Sequence, residues 1–159
     1  MATILSVQLK TIGALVHGEP TRLRLRRDSV SAWDIGQQVD HMLKVCERVF
    51  GIIGKGEAME LPGITPRGRL VLTLKWIPRG RGKSPEPVVG LQSSAEELVQ
   101  LFARVSSLAS ALMEKESLDQ RTRIFKHPYF GGLTAAQAFR FVEIHNKHHL
   151  KIIRDISTE

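Results

Sequence analysis

Toward its end the chain reads Glu143-Ile144-His145-Asn146-Lys147-His148-His149-Leu150, inside a strongly helical pattern. His145 and His149 are four residues apart, just over one helical turn. Both imidazoles therefore leave the same helix face, one above the other. Neutral imidazole nitrogens at that spacing can supply two ligands to zinc, nickel, iron or copper. The competing reading is a pair of satisfied histidines at a helix edge, or a final turn enriched in histidine because the helix dipole favours cations there. A third candidate is His41, eight residues after Trp33. On a helical wheel it sits at the rim of an apolar stripe. A rim position suits a ligand near the mouth of a helical bundle, and it equally suits a half-exposed structural histidine.

Other reactive side chains are read against these three. His148 follows His145 by three residues and is expected at the surface, ahead of a role as spare ligand or supporting group. His127 opens the turn His127-Pro-Tyr-Phe-Gly-Gly132, which leads directly into the last helix. It could sit over the site as an acid/base group, or belong to a turn held by packing of Tyr129 and Phe130. Cys46 lies on an apolar stripe and is read as a small buried hydrophobe rather than a fourth ligand. Trp33 and Trp76 are read as core or loop-anchoring residues, and His17 as a cap at a helix end. Glu47 and Glu143 point away from the relevant helix faces, which leaves no well-placed carboxylate base.

These residues need elements to position them. Leu5, Leu9, Ile12 and Val16 mark an amphipathic helix over residues 4–16, stopped by Gly18 and Pro20. Arg22 to Val30 alternates Leu with Arg but has no evident partner strand, so it is read as an extended connector. Ser31 is the expected N-cap of a second helix over 32–50, with Ile35, Val39, Met42, Cys46 and Val49 as its stripe and Gly51 and Gly54 as its end. Residues 51–92 hold most of the glycines and prolines and read as irregular. Within them 69–77 is an apolar island that fits a short helix or a lone strand equally well. A loop this long usually has a task, such as covering a site. Ser94-Ala-Glu-Glu97 and Thr134-Ala-Ala-Gln137 are capping boxes. They open helices running to about Glu116 and about Asp155, with Leu98, Leu101, Val105, Leu108 and Leu112 on one stripe and Phe141, Val142, His145, His149, Ile152 and Ile156 on the other. Four substantial helices without a confident strand pair predict an all-α bundle.

Composition bounds the rest. The 159 residues fit one domain, 1–159, and 42% hydrophobic with 25% charged residues is ordinary for a globular protein. No apolar run approaches the roughly 18 residues of a membrane span. The first residues lack the pattern of a signal peptide. Cys46 is the only cysteine, so a reducing, cytoplasmic setting is expected. Net charge is +7 and the pI is near 10.0. That invites a nucleic-acid reading, but the basic runs 22–27 and 67–83 lack interleaved aromatics. Nucleic-acid binding through the basic loop is therefore a second alternative and not the expected partnership.

Trp33 followed by His41, then His127-Pro-Tyr-Phe-Gly-Gly-Leu-Thr134, then His145-Asn-Lys-His-His149-Leu150, resembles the DinB/YfiT-like superfamily of metal-binding four-helix bundles. Within it the chain looks most similar to a subfamily of unknown function, in which a His-Pro-x-Phe-Gly turn precedes a His-x-x-His-His-Leu helix. The resemblance spans essentially the whole chain. It implies an up-down-down-up four-helix bundle whose long crossover, between the second and third helices, is residues 51–92. It also implies that His41, His145 and His149 are the metal ligands. Many members carry Gln three residues after the last ligand, where this chain has Ile152. Three neutral histidines leave coordination positions open, as in catalytic sites. The implied ion is divalent, zinc or nickel, and would activate a water or hold a thiol deprotonated. The function implied is a metal-dependent thiol S-transferase or hydrolase, with a low-molecular-weight thiol as a candidate co-substrate. The alternative is a non-catalytic metal-stabilised bundle or stress-related binding module. The expected partner is a small, anionic molecule drawn by basic residues of the long loop. No membrane is expected, and the oligomeric state, a homodimer included, is left open.

Overall fold

Leu5, Leu9, Ile12 and Val16 recur at helical spacing, and all four are buried on the inner face of α1 (Ala2–Val16). The computed structural model describes residues 2–80, 84–114, 118 and 121–158. After α1 the connector contains a short 3-10 turn, Pro20–Arg24, which buries Leu23. The rest of Arg22–Val30 is not a strand, as expected.

The second helix, α2 (Ile35–Lys55), begins later than Ser31 predicts. Asp34 is the N-cap: its carboxylate accepts from the Gln37 amide at 2.7 Å, and Gln37 Oε1 accepts from the Asp34 amide at 3.2 Å. This reciprocal pair satisfies two orphan donors and outcompetes Ser31. The Ser31 hydroxyl instead accepts from the Trp33 amide and from Gln38 Nε2. The helix also runs past Gly51 and Gly54, because Phe50 and Ile53 keep its buried face apolar. It stops at Gly56, whose φ of 68° is left-handed and whose N–H reaches the Ile52 carbonyl.

The expected irregular crossover contains two ordered pieces. Thr65 caps α3 (Pro66–Leu74), so the apolar island is helical, with Val71 buried. A 3-10 turn covers Glu86–Val88. Trp76 is exposed and is no part of the core. The third long helix, α4 (Ala95–Met113), starts at the Ser94/Glu97 capping box and is closed by Glu114. Its expected end at Glu116 lies outside the described residues.

A strand pair that the sequence did not predict corrects the all-α expectation. Strands β1 (Arg123–His127) and β2 (Gly131–Thr134) form an antiparallel hairpin. Gly131 has φ of 78°, and a Cβ there would lie 2.5 Å from the Gly63 carbonyl, so the close approach of the crossover demands glycine. That crossover pairs with the hairpin: Ile64 bridges Gly131, and the Thr65 amide donates to the Phe130 carbonyl at 2.8 Å. Thr134 ends β2 and caps α5 (Ala135–Ser157) through the expected box with Gln137.

The protein is thus mostly helical with one small sheet. α2 packs on both α4 and α5, and α1 packs on the same two helices. Their stripes join in one apolar cluster that includes Leu5, Val39, Phe50, Leu98, Val105 and Val142. No helix among the described residues is long and apolar enough to cross a membrane.

Because Leu101 is buried in this cluster and Leu70 is 57% exposed, their truncations should separate. Leu101→Ala should cost about 2–5 kcal/mol in urea denaturation, and Leu70→Ala less than about 0.5 kcal/mol. Equal, small losses at both positions would contradict the packing.

Candidate metal centre

His41 is set by α2, and His145 and His149 by α5. The structure brings these three together: each offers a ring nitrogen, and the nitrogens lie within 4.8 Å of one another. All three residues are buried, at 4%, 7% and 8% exposure. The rim position expected for His41 is therefore replaced by an interior one, because residues 88–93 fold over it. Together the rings line a pocket of about 690 Å³.

Two of the rings are locked by partners. His41 Nδ1–H donates to the Val88 carbonyl. His149 Nδ1–H donates to Gln38 Oε1 at 2.6 Å, and Gln38 Nε2 in turn donates to Ser31 Oγ at 2.9 Å. A carbonyl oxygen only accepts, so both rings must carry hydrogen on Nδ1. Their Nε2 lone pairs are then free to act as ligands. Ile152, at the position where the resemblance led to an expectation of Gln, is buried and lines the pocket. The polar support for His149 comes instead from Gln38 on the facing helix.

His145 is different. Its Nε2 lies 3.0 Å from His41 Nε2, and its Nδ1 is buried without a hydrogen-bond partner. With the proton on Nε2, Nδ1 is a bare, unpaired acceptor. With the proton on Nδ1, two lone pairs face each other. No protonation state satisfies every nitrogen of the set, and buried unsatisfied polar atoms are rare in folded proteins. A cation turns the opposed lone pairs into an attractive pair of ligands. Two nitrogens about 2.1 Å from a shared ion are about 3.0 Å apart at a right angle and about 3.4 Å apart at a tetrahedral one. The His41–His145 separation falls at the near end of that range, so this pair fits a transition metal as it stands, and His149, whose ligand atom lies within 4.8 Å of the others, completes the set by a small closing movement of its ring.

Electrostatics favour the ligand form. Burial first, and then the neighbouring imidazoles, hold His145 and His149 well below the ordinary histidine value. Burial also lowers His41, against the pull of the Val88 carbonyl and Asp40.

The Val88 carbonyl is itself clamped. Asp40, next to His41, is buried and accepts from the Leu91 amide and the Ser93 hydroxyl, each at 2.9 Å. Lys44 pairs with Asp40 at 2.6 Å and donates to the Val89 carbonyl at 3.2 Å. One face of α2 thus holds both the ring and the loop that orients it. The sequence reading missed Asp40, Lys44 and Gln38; their spacing from His41 on one helix, at −1, +3 and −3, was the available signal.

The remaining histidines separate. His148, expected at the surface, is half-buried, donates to the Ile77 backbone and meets His149 edge-on at 5.0 Å. His127 lines the same pocket and also holds the hairpin turn, where its Nδ1 accepts from the Tyr129 and Phe130 amides. Burial lowers it to about 4. His17 lies away from the site, edge-on to Phe102. Cys46 is buried beside Asn146 and pushed up to about 12 by burial, as befits an inert thiol. Trp33 is edge-on to His41 at 5.3 Å. Glu47 is engaged by Arg104 and Glu143 by Arg140, and neither joins the cluster.

The lowered histidines make metal-free stability depend on pH. The unfolded chain takes up protons near 6.5, whereas the folded rings resist until lower pH. The contribution is therefore complete above about 6.5 and is lost as pH falls from there through the folded values. Urea midpoints of metal-free protein should drop between pH 7 and 5; a flat profile would contradict burial of neutral rings.

No curated protein and no solved structure matched the chain. Residues 11–153 match the DinB superfamily. That match covers most of the sequence, including all three clustered histidines and the hairpin between α4 and α5, and the chain belongs to the DinB superfamily.

Proposed function

We propose that this chain is a metal-dependent enzyme of thiol S-transferase or hydrolase type, with His41, His145 and His149 as the ligands of one zinc or nickel ion. The single observation that carries the reading is a trio of buried imidazoles, two with their tautomers fixed by partners, in the wall of a sizeable pocket. A divalent ion held there would act as a Lewis acid, lowering the pKa of a water or thiol that it binds. His41 and His149 present their Nε2 atoms through the Val88 carbonyl and Gln38. Trp33, Phe141 and Ile152 give the pocket around them an apolar lining. Among the described residues no carboxylate joins the cluster, so the acid/base role falls to His127, which lines the same pocket.

The proposal includes a single DinB-like domain over 1–159, an up-down-down-up order of the four long helices, and membership of the subfamily with the His-Pro-x-Phe-Gly turn. It also includes a small, anionic substrate, a low-molecular-weight thiol as co-substrate and a cytoplasmic setting. Support for the anionic substrate comes from Arg48 and Lys126, exposed on the pocket lining, where Asp28 is the lone carboxylate among the described residues. Against the nucleic-acid alternative, two cations of the basic runs are engaged within the chain: Arg24 donates to the Ser93 carbonyl and Arg79 pairs with Asp155.

Purified protein should carry about one zinc or nickel per chain by elemental analysis. His41→Ala, His145→Ala and His149→Ala should each lose most of it, and His17→Ala none. Asp40→Ala, which frees the Val88 loop, should weaken metal affinity about 10- to 100-fold. Wild-type metal in all three ligand variants would refute the assignment.

The activity test compares metal-loaded and chelated protein across a panel of thiols with electrophiles and a panel of hydrolase substrates. Turnover should need the metal and weaken as salt rises. Equal rates with and without metal would leave a metal-stabilised, non-catalytic bundle as the better reading.

A further inference from the structure

We propose that His127 is a ligand-binding donor. Its Nε2–H takes a carboxylate oxygen of a small molecule whose apolar body lies along the aromatic wall of the pocket. The proposal deepens the reading of this pocket as a substrate chamber and rests on it.

The tautomer follows from the turn. His127 Nδ1 accepts from the Tyr129 amide at 3.1 Å and the Phe130 amide at 3.2 Å. Amides only donate, so Nδ1 must be bare, and a neutral ring with a bare Nδ1 carries its hydrogen on Nε2. The ring cannot flip without surrendering both bonds. It is also clamped by packing: it stacks on Phe130 with centroids 4.0 Å apart and planes 8° apart, and meets Phe141 edge-on at 4.6 Å. No residue among those described accepts from Nε2. The result is a fixed donor without a protein acceptor, on a ring that lines the pocket. Burial keeps the ring neutral at ordinary pH, so Nε2 keeps its single hydrogen and offers it as a donor.

The surroundings define what fits. The Phe141 ring that touches His127 also lies 5.4 Å from His145, so the donor is one aromatic ring away from the histidine cluster. Between and around them are Trp33, Val45, Val49 and Phe125, which suit an apolar or aromatic body. Arg48 and Lys126 are exposed on the same lining, and the Asp28 carboxylate there is paired with Arg26 at 2.8 Å. A positive rim and an unpaired donor favour a carboxylate over an ammonium or a neutral group. The sequence singles out His127 but does not show which of its nitrogens the turn leaves for the pocket.

Benzoate is a suitable probe, with an aromatic body and a carboxylate head. The test uses full-length, metal-free, 15N-labelled protein. Long-range 1H–15N spectra should show the Nε2–H tautomer of His127, and benzoate should shift that nitrogen. His127→Asn keeps a side-chain acceptor for the Tyr129 and Phe130 amides, as Asn does in turns, but withdraws the donor from the pocket. Benzoate should bind it about tenfold more weakly than wild type, whereas His17→Asn should bind unchanged. An Nδ1–H tautomer, equal affinity in wild type and His127→Asn, or no binding of benzoate by wild type would each overturn the proposal. The tautomer is read on wild type, so the test survives a variant that fails to fold. Because both readouts are taken without metal, a failure of metal binding would remove the enzyme reading separately.

Discussion

A buried imidazole must keep its ring nitrogens partnered or give them to a cation, and three packed together multiply that demand. His41, His145 and His149 meet it incompletely from protein groups alone. The Val88 carbonyl and Gln38 take one nitrogen each from His41 and His149. The inward nitrogens have only each other, at 3.0 Å between His41 and His145. The rest of the molecule is arranged around this constraint. α2 and α5 face each other so that the rings meet. The segment 88–93 is folded back and clamped on Asp40, and the aromatic side chains Trp33 and Phe141 close the flanks.

The clamp explains why a polar cluster survives in an otherwise apolar core. Asp40 is almost fully buried, yet its oxygens are matched by Leu91, Ser93 and Lys44. A buried carboxylate so matched is tolerable, whereas the same group without partners would be strongly destabilising. Gln38 does the same on the other flank, linking His149 to Ser31 and hence to the start of α2. The site is therefore held by hydrogen bonds that also fix the crossover, and its geometry is inseparable from the way the crossover folds back. Gly90 marks the same closeness, since a Cβ there would collide with the Gln37 carbonyl.

Much of this was legible in the sequence, for physical reasons. The His145/His149 spacing is a one-turn relation that a helix preserves, and both later capping boxes are local patterns, so they carry over directly. The meeting of His41 with α5 was legible only through the family resemblance, because contacts over 100 residues leave no periodic trace. The start of α2 was misplaced because Ser31 and Asp34 are both good caps, and only the Gln37 partnership decides between them. Its end was misplaced because glycine alone does not stop a helix whose buried face continues. The hairpin at 123–134 was missed because one strand is glycine-rich and very short. What stabilises it comes from afar: Gly63, Ile64 and Thr65 of the crossover. Val88, which orients His41, was invisible for the same reason, whereas Gln38 and Asp40 lie three and one residues before His41 and were overlooked.

The central claim is that these three imidazoles hold one metal ion. X-ray absorption on protein loaded with one zinc per chain reads the ligands directly. The account predicts a nearest shell of nitrogen or oxygen near 2.0–2.1 Å with the multiple scattering of three imidazoles. His145→Ala should reduce that imidazole count. A shell without imidazole scattering, or one unchanged in His145→Ala, would contradict it.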